Sequence, residues 1–265
     1  MAGAGLTQAD WLASVPSLLA ELATAWGLTP GQGYAAGAAG LAVRADLDDG
    51  TPAVLKLSYP HRESEQEADA LERWNGAGAV RLLARDDERH ALLLERCEPG
   101  TFLSEWDGDA LGVLIALLPR LWKRADGFRT LEDEAALWLE HDLARGRHAD
   151  LAAGLIRELA PTQGEHVLVH QDLHGENVLA AQREPWLVID PKPLSAEREF
   201  AVAPIVRSFE FGHSRRDVHY RLDRLTSELG LDRERARGWT IVQTLAWSGG
   251  SDFIATHVET VEWLL

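Results

Sequence analysis

The chain has 265 residues, is 46% hydrophobic and 26% charged, and carries a formal charge of −16. Its length exceeds one ordinary hydrophobic core, so two lobes are expected, and its charge excludes nucleic acid, whose phosphates demand basic surface. No apolar run reaches the roughly 18 residues of a membrane span, and Met1–Leu6 lacks the basic and apolar stretches of a secretory signal, so neither a membrane nor export is expected.

Trp11, Leu12, Val15, Leu18, Leu19, Leu22 and Trp26 are spaced as on one helix face, which predicts a helix over 10–26 ended by Gly27 and Pro30. Gly31–Gly40 reads as a flexible stretch of small residues, and its part Gly33–Gly40 is either a phosphate cradle, without the spaced glycines of protein kinases, or a plain connection. The runs 41–47 and 52–57 flank Asp48-Asp49-Gly50 as a β-hairpin. A helix over 63–74 and strands at 80–84 and 90–95 complete the first third. The lone cysteine, Cys97, cannot form an internal disulfide, so a reducing cytoplasm is the expected setting. Beyond Pro99-Gly100 the signals are chiefly helical, at 109–124, 131–144, 148–160, 215–229 and 232–247, around a β-rich island at 166–190. Strands first and helices later give an α+β chain with two lobes, 1–96 and 97–265.

The island carries the chemistry. His170-Gln-Asp172 leaves an apolar strand, Asn177 follows five residues after Asp172, and Leu187-Val-Ile ends at Asp190. Phosphoryl transfer needs such a set: one carboxylate to accept or orient the attacking hydroxyl, an amide oxygen and a second carboxylate to hold magnesium on the phosphates. Upstream, Lys56 stands alone in the apolar strand Val54-Leu-Lys-Leu57, where an unpaired ammonium would be costly. Glu63, Glu65 and Glu67 could each pair with it. Glu67 is chosen because Leu71 lies on its helix face.

These residues resemble the aminoglycoside phosphotransferase superfamily, which shares the protein-kinase fold. Ile189-Asp-Pro-Lys-Pro193, Glu199-Phe200 and Ala203-Pro204 narrow the resemblance to the streptomycin 6-kinase and hydroxyurea phosphotransferase group. It runs from about residue 26 to about residue 247. The resemblance implies that Asp172 is the catalytic base, that Asn177 and Asp190 are magnesium ligands, and that Lys56, paired with Glu67, binds the phosphates of ATP or GTP. It makes Glu95-Arg96-Cys97 a hinge whose backbone bonds the base, and His170 a support of the loop. Departures are Gln171 where the family usually has glycine, Ala201 where the group often has aspartate, and Pro191-Lys192 after Asp190 in place of Phe-Gly.

Lys192 could approach phosphate or pair with Glu197 or Glu199, and His174 packs or caps more readily than it catalyses. Residues 1–96 hold 14 acids against 8 bases and residues 97–265 hold 28 against 18, a field that suits a small cationic acceptor or simply keeps the protein soluble. Glu197, Glu199, Glu210, Asp217, Asp223 and Asp252 could line its pocket, and Trp138, Trp239 and Trp247 could stack on it or fill the core. The leading expectation is a monomeric antibiotic kinase phosphorylating an aminoglycoside-type hydroxyl. A metabolic small-molecule kinase and an inactive kinase-like binding module are the alternatives.

Overall fold

The computed structural model describes residues 7–34, 40–143, 148–248 and 254–265. It divides after Glu98 into two units, two residues beyond the boundary expected from sequence, so Cys97 belongs with the first.

In the first unit, α1 (Gln8–Trp26) is capped by Thr7, whose hydroxyl accepts from the Asp10 amide, and closed by Gly27 at φ 60. A Cβ at Gly27 would meet an Asp48 carboxylate oxygen at 2.6 Å, a contact the exposed Asp48 side chain can relieve by turning away, so it is the left-handed backbone that calls for glycine there. Five antiparallel strands follow: β1 (Leu28–Gly33), β2 (Gly40–Leu47), β3 (Pro52–Ser58), β4 (Leu82–Asp86) and β5 (Ala91–Glu95), in the order β1-β2-β3-β5-β4. The expected hairpin is β2–β3. Trp11, Val15 and Leu22 of α1 pack with Ala53, Leu55, Leu57 and Leu93, so α1 covers one face of the sheet. Alternation along β3 sends Lys56 to the opposite face. There α2 (Glu67–Trp74) starts four residues later than its charge pattern predicts and buries Glu67, Ala68, Ala70, Leu71 and Trp74.

Part of the expected flexible stretch is strand. β1 is an edge strand, exposed beyond Leu28, and its pairing to β2 rather than any apolar pattern makes it a strand; Pro30 is tolerated because an edge strand leaves one side of its ladder unpaired. Residues 35–39 of the stretch lie outside the described residues.

The second unit is mainly helical: α3 (Ala110–Leu121), α4 (Leu131–Leu137), α5 (Ala149–Leu159), α6 (Ala203–Arg207), α7 (Arg215–Leu229), α8 (Arg233–Ala246) and α9 (Ile254–Leu264). The expected helix over 131–144 is α4 followed by one wider π turn, Trp138–Asp142. Helix α8 is buried from Trp239 to Ala246. Its polar members are tied back into the helix, Thr240 Oγ1 donating to the Ala236 carbonyl and Thr244 Oγ1 to that of Thr240. Two small ribbons present the loops of interest. β6 (Val167–His170) pairs with β9 (Pro193–Ala196), and β7 (Val178–Ala180) pairs with β8 (Trp186–Val188).

Candidate active site

In the first unit, Lys56 Nζ lies 2.6 and 2.7 Å from the two carboxylate oxygens of Glu67. Glu67 is 3% exposed, so its charge is held almost entirely by this contact and those around it. Glu95 pairs through its amide with the Arg81 carbonyl, and its side chain accepts from the Arg81 amide at 3.0 Å. Cys97 is buried in the same segment.

In the second unit, β6 delivers His170 to the start of the loop. Its Nδ1 accepts from the amide of Asp172 at 3.1 Å and from that of Lys192 at 3.4 Å, which leaves Nε2 as the donor to the Ile189 carbonyl at 3.2 Å. Burial drives its pKa down to about 4. A neutral imidazole therefore ties together the two chain segments that carry the candidate carboxylates.

Asn177 ends a short 3₁₀ turn, Gly175–Asn177, and its Nδ2 donates to the Asp172 carbonyl at 2.8 Å. That bond fixes the amide's sense and leaves Oδ1 as the atom suited to a hard cation. The Ile189 amide donates to the Asn177 carbonyl at 3.0 Å, and Val178 faces Val188 across the ribbon. Asn177 and Asp190 are thereby brought to the same end of one hairpin. Asp190 sits at φ 51, a left-handed conformation that aspartate tolerates better than most residues. A carboxylate and a carboxamide oxygen fit magnesium, which takes few protein ligands and keeps several waters.

Asp172 is surrounded by cationic groups. Lys192 Nζ lies 2.8 Å from Oδ2, while Arg207 Nη2 and His174 Nε2 lie 3.5 and 3.9 Å from Oδ1. Burial pushes the carboxyl's pKa up, but these three neighbours, Lys192 foremost, outweigh burial and hold it below the usual range. His174 Nδ1 donates to Glu210, which also accepts from the Gly175 amide, both at 2.7 Å. Burial opposes its charge, yet the Glu210 bond and Asp172 together raise its pKa.

Of the acidic residues proposed for an acceptor pocket, only Glu210 reaches the loop that follows Asp172 among those described. Glu197 is buried against Arg235 and the Trp239 indole. Glu199 accepts from the Asp232 amide, Asp217 bonds Ser214 at the start of α7, and Asp223 pairs with Arg233. Asp252 lies outside the described residues. Trp138 and Trp239 are core residues against Phe200. Trp247 is already occupied, with Lys192 Nζ 5.0 Å and the Arg207 guanidinium 4.7 Å from its ring centroid. Lys192 pairs with Asp172 and not with Glu197 or Glu199.

Arg207 escaped the sequence reading. The signal that finds Lys56 was present, a lone cation ending the apolar run Ala201–Val206. Arg221 was missed too. Buried in α7, it donates to the carbonyls of Val206, Phe211 and Gly212 and so fixes the segment bearing Arg207 and Glu210.

The profile of a family described as aminoglycoside/hydroxyurea antibiotic resistance kinase matches residues 25–253. Streptomycin 6-kinase of Streptomyces glaucescens is 40% identical over 258 residues, covering 89% of this chain and 84% of its own. Hydroxyurea phosphotransferase of Kitasatospora aureofaciens is also 40% identical, over 92% and 76%. The crystal structure of choline kinase LicA from Streptococcus pneumoniae superposes with a TM-score of 0.67 at 14% identity, covering 95% of this chain and 99% of that one; at such identity it establishes the protein-kinase-like fold alone.

Proposed function

The chain belongs to the aminoglycoside/hydroxyurea antibiotic resistance kinase family, and we propose that it transfers the terminal phosphate of ATP or GTP to a hydroxyl of a streptomycin-like aminoglycoside, conferring resistance. The observation that carries the reading is the loop of the second unit: an ionised Asp172 ringed by cations, beside the hairpin end that bears Asn177 and Asp190.

In this mechanism Asp172 orients the acceptor hydroxyl and takes its proton as the oxygen attacks phosphorus. Asn177 Oδ1 and the Asp190 carboxylate would hold magnesium, which when bound neutralises phosphate charge. Lys56, held by Glu67, binds the nucleotide phosphates, and the backbone of Glu95–Cys97 receives the base. Glu210 and the acidic surface favour a cationic acceptor. The protein works as a cytoplasmic monomer.

The test is to incubate the purified chain with streptomycin, magnesium and ATP or GTP and weigh the product. One added phosphate is expected, and none with Asp172→Ala. Absence of turnover with every aminoglycoside offered would remove this acceptor class. A second reading, a hydroxyurea-type acceptor, is favoured by the equal identity to hydroxyurea phosphotransferase, and the same assay with hydroxyurea decides it.

A further inference from the structure

We propose that His257, on the last helix, is a positioning residue for the transfer: it holds Arg207 against Oδ1 of Asp172, the oxygen that takes the acceptor's proton. The proposal rests on the kinase reading above. It adds a chain of contacts, Ser248–His257–Arg207–Asp172, that runs from the end of α8 through α9 to the base.

The two oxygens of Asp172 stand in different surroundings. Oδ2 accepts from Lys192 Nζ at 2.8 Å. Oδ1 accepts no hydrogen bond from a described residue. Its neighbours, Arg207 Nη2 at 3.5 Å and His174 Nε2 at 3.9 Å, stand beyond the roughly 2.7–2.9 Å of a charged hydrogen bond. They favour the carboxylate's charge and leave the Oδ1 lone pairs to an incoming hydroxyl. The hydroxyl proton passes to Oδ1 as its oxygen bonds phosphorus and the bond to the nucleoside diphosphate breaks; Lys192 and Arg207 keep their protons.

Arg207 has few other contacts to hold it there. Its side chain is 11% exposed, and its Nε is buried without a partner among the described residues. Its guanidinium lies 4.7 Å from the Trp247 ring centroid, but an aromatic face attracts a cation without deciding which nitrogen points where. His257 decides it, because Nη1 donates to His257 Nε2 at 3.4 Å.

That bond needs one tautomer of a buried ring, and the structure supplies it. Arginine has no acceptor, so Nε2 must offer a lone pair and Nδ1 must carry the proton. Nδ1 lies 3.2 Å from Ser248 Oγ, whose own proton goes to the Thr244 carbonyl at 2.6 Å. Ser248 thereby ends a ladder on α8 in which Thr240 and Thr244 also donate to the carbonyl four residues back. With its proton spent, the serine oxygen can only accept from His257. One constraint at each ring nitrogen selects the same neutral form, which packing alone would not require.

The test is a double-mutant cycle on the full-length chain, with His257→Leu, Arg207→Met and the pair, read as turnover with streptomycin and ATP–magnesium at temperatures where each variant is folded. His257→Leu should lower kcat about 10–100-fold, the range of one hydrogen bond to a charged group, with KM for ATP and streptomycin within about threefold. The pair should turn over no more slowly than Arg207→Met, because His257 acts through that residue. His257→Gln, which can offer an oxygen where Nε2 stands, should recover most of the loss. A kcat for His257→Leu within about threefold of wild type, or losses that multiply in the pair, would overturn the proposal. Should either variant fail to fold, Ser248→Ala takes its place: it must lower kcat severalfold with histidine at 257 and not with glutamine, and equal losses in both backgrounds overturn the proposal. Wild type that phosphorylates no aminoglycoside removes the acceptor class, and the cycle is then read on ATP hydrolysis, in which water stands for the hydroxyl. Wild type that turns over neither removes both readings.

Discussion

The proton-accepting duty assigned to Asp172 rests on the oxygen that an amide substitution would alter least in shape. Asp172→Asn keeps the bulk and removes the charge, so kcat should fall by about 10²–10⁴-fold, measured as nucleotide-dependent turnover. The same change leaves Arg207 buried without its carboxylate and should lower stability as well. Turnover must therefore be read at temperatures where the variant remains folded. Behind Arg207, His257 gives a second check. Burial, with Arg207 and His213 nearby, drives its pKa down to about 4. A neutral histidine whose folded pKa is depressed stabilises fully above its unfolded value near 6.5, and that contribution is lost as pH falls toward 4. Wild type should lose about 1–2 kcal/mol across this window that His257→Gln does not lose. Denaturant melts at pH 7 and pH 4.5 measure it, and parallel curves for the two proteins would contradict it.

At the scale of elements, the 3₁₀ turn Gly175–Asn177 decides where Asn177 points. A Cβ at Gly175 would lie 2.7 Å from Glu210 Oε2, 2.8 Å from Phe211 Cζ and 3.0 Å from Ser104 Cβ. Three neighbours cannot all yield, so Gly175→Ala should destabilise by about 1–3 kcal/mol in urea melts and depress turnover further by moving Asn177. What was legible in the sequence follows from the range of the forces involved. Asp172, Asn177 and their flanking strands are set by local spacing. Lys56 with Glu67 could be paired on paper because a lone lysine in an apolar strand needs a carboxylate, and the next helix supplies one. Arg207 meets Asp172 from 35 positions away, a contact no local pattern encodes, although its apolar approach was visible. β1 was not legible because Thr29–Gly33 has no buried face and becomes strand only by pairing with β2. Trp247, which the sequence leaves open between a ligand platform and a core residue, has its ring face taken by Lys192 and Arg207, contacts from 55 and 40 positions away that no local pattern encodes.

For the whole molecule, charge decides between the two acceptors. At −16 the protein sits in a field that draws cations from solution, and both halves of the sequence contribute to it. That field extends about 30 Å at 0.01 M salt but only about 8 Å at 0.15 M. A polycationic aminoglycoside approaching such a surface gains in encounter rate at low salt; an uncharged acceptor such as hydroxyurea gains nothing. If the aminoglycoside is the true substrate, its kcat/KM should fall several-fold between these ionic strengths, with kcat itself little changed because the ion pairs of the catalytic loop are partly buried and weakly screened. Initial rates at subsaturating streptomycin, with nucleotide and magnesium saturating, give the measurement, and a fully exposed acid-to-amide variant remote from the loop controls for general salt effects. A kcat/KM flat with salt would mean that the acidic surface serves solubility alone and would move the acceptor assignment toward a neutral molecule.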